Sequence, residues 1–261
     1  MSVEKDVSFD TVTELPGNKA HSEQIKAIRT RYKWAAERCI GKETVELACG
    51  AGIGLGILDQ YAKGVMGGDI DLNLLDYGSR HFSNRGIQFE QLDACNISLP
   101  SNSVDVVVCF EALYYFPSFP QAVQEVARIL RSDGEFVGCT VNKAWHGFNP
   151  SPHSIRYYEL QDLAKVLSNS GFLTSFSLAY EDRPQGLSRF IAWLRGKAAQ
   201  FGFIPKTMKG KEMLKRLFYG PLSPIPSEID SDGPVDAVVE YHEGLKLSDY
   251  KVIFFHAKKR K

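Results

Sequence analysis

What this 261-residue sequence lacks narrows it first. No apolar run approaches the roughly eighteen residues a membrane span requires. The opening residues, MSVEKDVSFD, hold acids and no apolar core, so a secretory leader is not expected there. Cysteine is scarce: positions 39, 49, 95, 109 and 139, odd in number and with no CxxC pair. That pattern fits neither a disulfide framework nor a metal site. Four of the five lie inside apolar runs and read as small buried hydrophobes of a reducing compartment, the cytosol by default. Lys plus Arg and Asp plus Glu both number 31, so the formal net charge is zero. A general nucleic-acid-binding surface is therefore not expected. Internal repeats and low-complexity tracts are absent too.

What is present is alternation. The segment 22–39 carries Ile25, Ile28, Tyr32, Ala35 and Cys39 at helical spacing, with Ser22 as the expected cap. TVELA, VMGGDID, IQFEQLDA, VDVVVCF and FVGCTV read as strands, with helical patterns following the first, second and fourth. The continuous apolar run VDVVVCF suits a strand covered on both faces. A further helix at ELQDLAKVLSNSGF, ending near Gly171, precedes TSFSLAY, and YKVIFFHAKK closes the set. Strands alternating with helices build a parallel sheet with right-handed crossovers. The expected fold is α/β: a Rossmann-like, seven-stranded, mostly parallel sheet with helices on both faces, plus a helical insertion between the last two strands. Expected boundaries are an N-terminal helical cap over 1–42, a core over 43–182, an insertion over 183–248 and a final strand with a basic tail over 249–261.

VELACGAGIGLG, residues 45–56, places glycines at 50, 52, 54 and 56 after the first strand. In such sheets ligands bind beyond the carboxyl ends of the strands, at the point where strand order reverses. A dinucleotide turn would need a glycine where Leu55 stands, and a phosphate-binding loop would end in Gly-Lys-Ser/Thr. Neither pattern is met. Glu46 would repel a pyrophosphate and attract a cation. The stretch resembles the first motif of class I S-adenosylmethionine-dependent methyltransferases, an acid followed by G-x-G-x-G. GGDID, the run from Leu92 to Phe116 and VQEVARILRSDGEFVGC resemble that family's later motifs in order, in the small-molecule type called methyltransferase 11. The resemblance covers about residues 43–140. It implies S-adenosylmethionine as cofactor, held by Glu46, Ala48, Gly50, Gly52, Asp69 with Ile70, Asp93 with Ala94, and Phe110, with Tyr32 of the first helix closing over it. Glu111 would line the methionine end through its backbone. Ala48 departs from the family's glycine, so a small local shift is expected. Asp71 reads as a helix cap and Asp105 as structural; Cys49 and Cys109 read as packing.

Methyl transfer from a sulfonium needs alignment and exclusion of water, and a base only where the acceptor must lose a proton. Candidate acceptor segments are Tyr114–Phe116 and the loop 143–158, dense in aromatic and amide groups. His146 is the candidate base and Tyr115 its candidate partner in catalysis; a loop histidine bonding the backbone is the alternative for His146. Tyr114, Trp145, Asn149 and Tyr157 are the candidate acceptor contacts, and His153 is expected to be turned outward by Pro150 and Pro152 before it. The leading expectation is methylation of a hydroxyl on a sugar or glycan precursor. N-methylation of a small amine and a non-catalytic S-adenosylmethionine-binding partner are the alternatives. From Arg183 to Phe218 nine basic residues face one acid, and from Tyr219 to Tyr250 seven acids face one lysine. The basic amphipathic stretch 186–218 can rest on an anionic membrane surface, or serve as a cap or homodimer contact that meets the acidic block.

Overall fold

The computed structural model describes residues 14–151, 153–182 and 221–260. Chain order gives β1 (Lys19–Ala20), α1 (Ser22–Cys39), β2 (Glu43–Leu47), α2 (Leu55–Asp59), β3 (Gly64–Asp69), α3 (Leu72–His81) and β4 (Gln88–Gln91). Then follow β5 (Val104–Phe110), α4 (Phe119–Ile129), β6 (Leu130–Val141), α5 (Leu160–Asn169), β7 (Phe172–Glu181), β8 (Ser223–Pro224), β9 (Val238–Glu240) and β10 (Tyr250–Lys259). The main sheet runs β4-β3-β2-β5-β6-β10-β7-β9. From β4 through β6 every pairing is parallel, whereas β10 is antiparallel to both β6 and β7.

The seven expected strands are all present, and the sheet holds an eighth. β9 adds three residues antiparallel to β7 at the sheet's edge. It lies in the acidic stretch, which over 221–248 is mainly without regular secondary structure. The expected amphipathic helices of 186–218 lie outside the described residues. No described helix is long and apolar enough to cross a membrane.

Alternation along β5 explains the layering. Val107 and Cys109 join a core with Phe119, Val123, Val126 and Ile129 of α4 and Leu163 and Leu167 of α5. Val106, Val108 and Phe110 point the other way, to Ile28, Tyr32, Ala35 and Cys39 of α1 and to Leu55, Ile57 and Leu58 of α2. All five cysteines are buried and free. Two caps differ in outcome. Asp71 caps α3 as expected, accepting from the Asn73 amide at 2.9 Å. The cap of α1 is His21 and not Ser22: His21 has an extended backbone and its Nδ1 accepts from the Gln24 amide at 3.2 Å.

Strand order reverses between β2 and β5. From β2 the chain builds outward through β3 and β4, then returns to lay β5 on the opposite side of β2. Diverging connections leave a crevice above the carboxyl ends of these two strands. The opposite end of the sheet is tied by charge. Glu135 accepts from Lys42 at 2.7 Å and lies 2.8 Å from His256 Nε2, joining the chain just before β2 to β6 and β10. Asp105 is structural as expected, accepting from the Glu43 amide at 2.9 Å and pairing with Arg131 at 2.8 Å.

The hydrogen bond from His256, together with Lys42, holds the Glu135 carboxyl at about 2. A depressed carboxyl stabilises the fold above the unfolded value and loses that contribution as pH falls towards its folded value. Glu135→Gln is expected to lower stability near neutrality by about 1–2 kcal/mol. It should also flatten the acid-side loss between about pH 4.5 and pH 2 in denaturant titrations. An unchanged acid profile in the variant would contradict this.

Candidate functional site

The glycine turn after β2 is shaped by two different demands. Gly50 and Gly52 have φ of +59° and +71°, a backbone region that side-chain-bearing residues avoid. Ala48 shares that region at φ 56°, so the family's glycine position keeps its left-handed backbone although a methyl group is present. Gly54 and Gly56 are required by packing. A Cβ at Gly54 would run into the Tyr32 ring, and one at Gly56 into the Glu228 carboxylate. The turn is thus bent at 48–52 and clasped at 54–56.

Above it lies a cleft of about 1230 Å³. Its floor comes from the carboxyl ends of the parallel strands: Glu46, Ala48, Cys49 and Gly50 after β2; Asp69 to Leu74 after β3; Gln91 to Ala94 after β4; Phe110 to Ala112 after β5. Helix α1 supplies Arg31 and Tyr32, and Glu14 closes the same side. Tyr114 to Pro117, Val141, His153, Ile155, Lys251 and Val252 complete the wall. A single small ligand takes roughly 300–1,000 Å³, so this cleft admits a donor and an acceptor together.

Charge is concentrated at its base. Tyr32 donates its hydroxyl to Glu46 Oε1 at 2.8 Å, while Glu46 Oε2 is buried without a hydrogen-bond partner. Burial pushes the Glu46 carboxyl up to about 8, against the Tyr32 hydrogen bond and the attraction of Arg31. Asp69 accepts from the Gly50 amide at 2.8 Å and the Asp71 amide at 3.0 Å, which locks the glycine turn to the end of β3. Burial raises its carboxyl as well, against those two amides. Glu111 is a third raised carboxyl, again through burial, with φ at 51° and the Tyr114 hydroxyl at 3.2 Å. Three acids pushed towards neutrality in one crevice make a site that an entering cation relieves. The orphaned Glu46 Oε2 is the atom such a cation would satisfy.

The cleft gathers Tyr32, Glu46, Ala48, Gly50, Asp69, Ile70, Asp93, Ala94 and Phe110, all expected at the donor, and Tyr114 and Tyr115. Gly52 stays behind the turn, where it sets the bend. The loop 143–158 corrects several expectations. His146 does not line the cleft: its Nδ1 lies 3.0 Å from the Ser248 carbonyl and its Nε2 3.8 Å from Asp182. Trp145 is turned to the same acid, donating to Asp182 at 3.2 Å. Asn149 is likewise outside the cleft's lining. Tyr157 acts from behind, stacked on Tyr114 with centroids 4.8 Å apart and accepting from the Ser151 amide. His153, expected to point outward, lines the cleft instead, its backbone at φ 66°. Tyr115 meets Ser151 at 2.6 Å, which ties the short turn after β5 to that loop. Sequence reasoning missed Glu14, Arg31, Ile155 and Lys251. Arg31 was legible in one respect, since it adjoins Tyr32 on the apolar stripe; the others reach the cleft through contacts distant in sequence.

Comparisons agree with this geometry. Residues 45–138 match the Methyltransf_11 family, described as a methyltransferase domain. A probable S-adenosylmethionine-dependent methyltransferase of Mycolicibacterium smegmatis is 28% identical over 164 residues, 60% of this chain and 62% of that protein. A fatty-acid O-methyltransferase of the same organism is 31% identical over 114 residues, 42% of each. The matched chain thus spans less than two thirds of either relative. The solved YcgJ protein of Bacillus subtilis superposes with a TM-score of 0.56 at 16% identity, covering 88% of this chain and 98% of that one, a likeness of fold. Residues 45–138 are thus a methyltransferase domain of the Methyltransf_11 family, set in a fold like that of the solved YcgJ protein.

Proposed function

We propose that this protein transfers a methyl group from S-adenosylmethionine to an oxygen of a small acceptor with an apolar body. The observation that carries the donor half is Glu46: a buried carboxylate oriented by Tyr32, with one oxygen unpartnered, on the cleft floor. Bound there, S-adenosylmethionine would supply a methyl group on a sulfonium, whose sulfur leaves readily as the neutral thioether of S-adenosylhomocysteine. This chain's residues bind and align. Glu46 takes the ammonium, Asp69 accepts from the ribose hydroxyls with the lone pairs its two amides leave free, and Asp93 and Ala94 border the adenine. Phe110, edge-on to Tyr32 with centroids 5.1 Å apart, excludes water from the base of the cleft.

The acceptor half rests on the wall. A sugar-like acceptor was expected from the loop 143–158, through Trp145, His146, Asn149 and Tyr157. With those side chains held elsewhere, the acceptor side consists of Tyr114, Tyr115, Phe116, Ile155 and Val252, with His153 and Lys251 as its polar groups. Such a surface favours an apolar body bearing one polar head. The 31%-identical relative named a fatty-acid O-methyltransferase agrees with that chemistry. His153 replaces His146 as the residue placed to accept the proton of an acceptor hydroxyl.

Three outcomes test this reading. Release of S-adenosylhomocysteine is expected with hydroxylated or carboxylated apolar acceptors. Turnover confined to sugars or amines would contradict the acceptor class. With a hydroxyl acceptor, His153→Ala is expected to lower kcat about 10²-fold while His146→Ala stays within about twofold, and the reverse order would overturn the assignment. Glu46 predicts a pH dependence. Its free carboxyl is raised to about 8 and a bound ammonium requires the carboxylate, so binding releases a proton. Affinity for S-adenosylhomocysteine should therefore rise between about pH 5.5 and pH 7.5, by up to about tenfold per unit. Glu46→Gln should weaken binding about tenfold and flatten that rise. A flat wild-type profile would refute the role given to Glu46.

A further inference from the structure

Arg31 is a basic group of the cleft whose charge acts on Glu46, one residue before Tyr32 on α1. It is 8% exposed, yet its guanidinium is incompletely used. Nη2 pairs with the Glu14 carboxylate, while Nε is buried with no hydrogen-bond partner. A nearly buried guanidinium with an unmet donor is costly unless something completes it. Among the described residues, the titratable groups that act on it include Glu14, Cys139, Tyr180, Glu111, Glu46 and Tyr32. The two partners also differ in how firmly they are held. Arg31 is anchored on a helix whose next residue is hydrogen-bonded to the sheet. Glu14 is about one-third exposed, and among the described residues it also accepts a 3.4 Å hydrogen bond from Gln24.

A carboxylate that approaches a guanidinium side-on can engage Nε and one terminal nitrogen together, a stronger geometry than a single contact. Glu14 engages only the terminal nitrogen. Resting on the donor reading above, we propose that Glu14 is an internal stand-in. Its carboxylate holds the anion position of Arg31 until the amino-acid carboxylate of the donor displaces it. The donor's amino-acid end is a zwitterion, and this corner of the cleft offers its complement: Glu46 with a free oxygen for the ammonium, Arg31 with a free Nε for the carboxylate. Displacement exchanges a half-satisfied ion pair for a fully satisfied one and leaves Glu14, already part-exposed, to water.

The test uses two probes on the full-length protein. S-adenosylhomocysteine carries the amino-acid end, and 5′-methylthioadenosine lacks it. Glu14→Gln removes the internal competitor and is expected to tighten S-adenosylhomocysteine binding about three- to fivefold, the scale of a part-exposed ion pair. Binding of 5′-methylthioadenosine should be unchanged. Arg31→Lys is expected to weaken S-adenosylhomocysteine binding about tenfold, because an ammonium cannot offer the side-on fork, and again to spare 5′-methylthioadenosine. Equal or weaker S-adenosylhomocysteine binding by Glu14→Gln would overturn the stand-in while leaving the donor reading intact, since Glu14 would then merely orient Arg31. Failure of the wild-type protein to bind either probe would remove the donor reading and the stand-in together. A near-ultraviolet circular dichroism spectrum matching wild type identifies each variant as folded.

Discussion

One buried hydrogen bond organises the cleft: the Tyr32 hydroxyl to the Glu46 carboxylate at 2.8 Å. It joins the helix laid over the sheet to the end of the central strand, and other features serve it. Gly54 lacks a side chain where the Tyr32 ring lies. Phe110 meets that ring edge-on from the end of β5. Even with that hydrogen bond, burial pushes the carboxyl up towards neutrality, and its second oxygen is left unsatisfied, poised for a cation. An unsatisfied acidic oxygen favours a positively charged ligand over a phosphate.

The returning chain braces this arrangement from outside. Between β8 and β9, Arg29 of α1 binds Asp230 at 3.0 Å, and the Asp236 amide donates to Thr30 at 2.9 Å. Lys26 meets Asp236 at 2.6 Å. The Ile229 amide donates to the Ile53 carbonyl in the glycine turn at 2.7 Å. Arg85 holds Glu228 and Asp59 at once, at 2.7 and 2.8 Å. The acidic block therefore acts as a strap that presses α1 onto the turn. Residues 26, 29 and 30, which it grips, immediately precede the two that face the cleft.

Much of the core was legible because its signals are local. Apolar runs such as VDVVVCF need only burial on two faces to become strands, and Asp71 carries its own capping chemistry. That Glu46, Asp69 and Asp93 meet on one cleft floor was legible because strand ends in a parallel sheet converge without help from distant chain. The facing wall was not. Trp145 and His146 are drawn to Asp182 and to the Ser248 carbonyl, partners 37 and 102 residues away. No periodicity in the loop announces such contacts. His153 was misjudged for a related reason: prolines before it in the sequence do not fix where a residue at φ 66° aims its side chain. The His21 cap was missed because a serine beside it offered the commoner donor-acceptor chemistry.

The proposed donor site turns on Glu46 meeting positive charge beside a ribose held at Asp69. A crystal structure of the complex with S-adenosylhomocysteine tests that most directly. The predicted result places the ligand's ammonium within hydrogen-bonding distance of Glu46 Oε2 and both ribose hydroxyls on the Asp69 carboxylate, with the Tyr32 bond kept. A ligand whose ammonium lies away from Glu46, or whose ribose contacts other residues than Asp69, would contradict it.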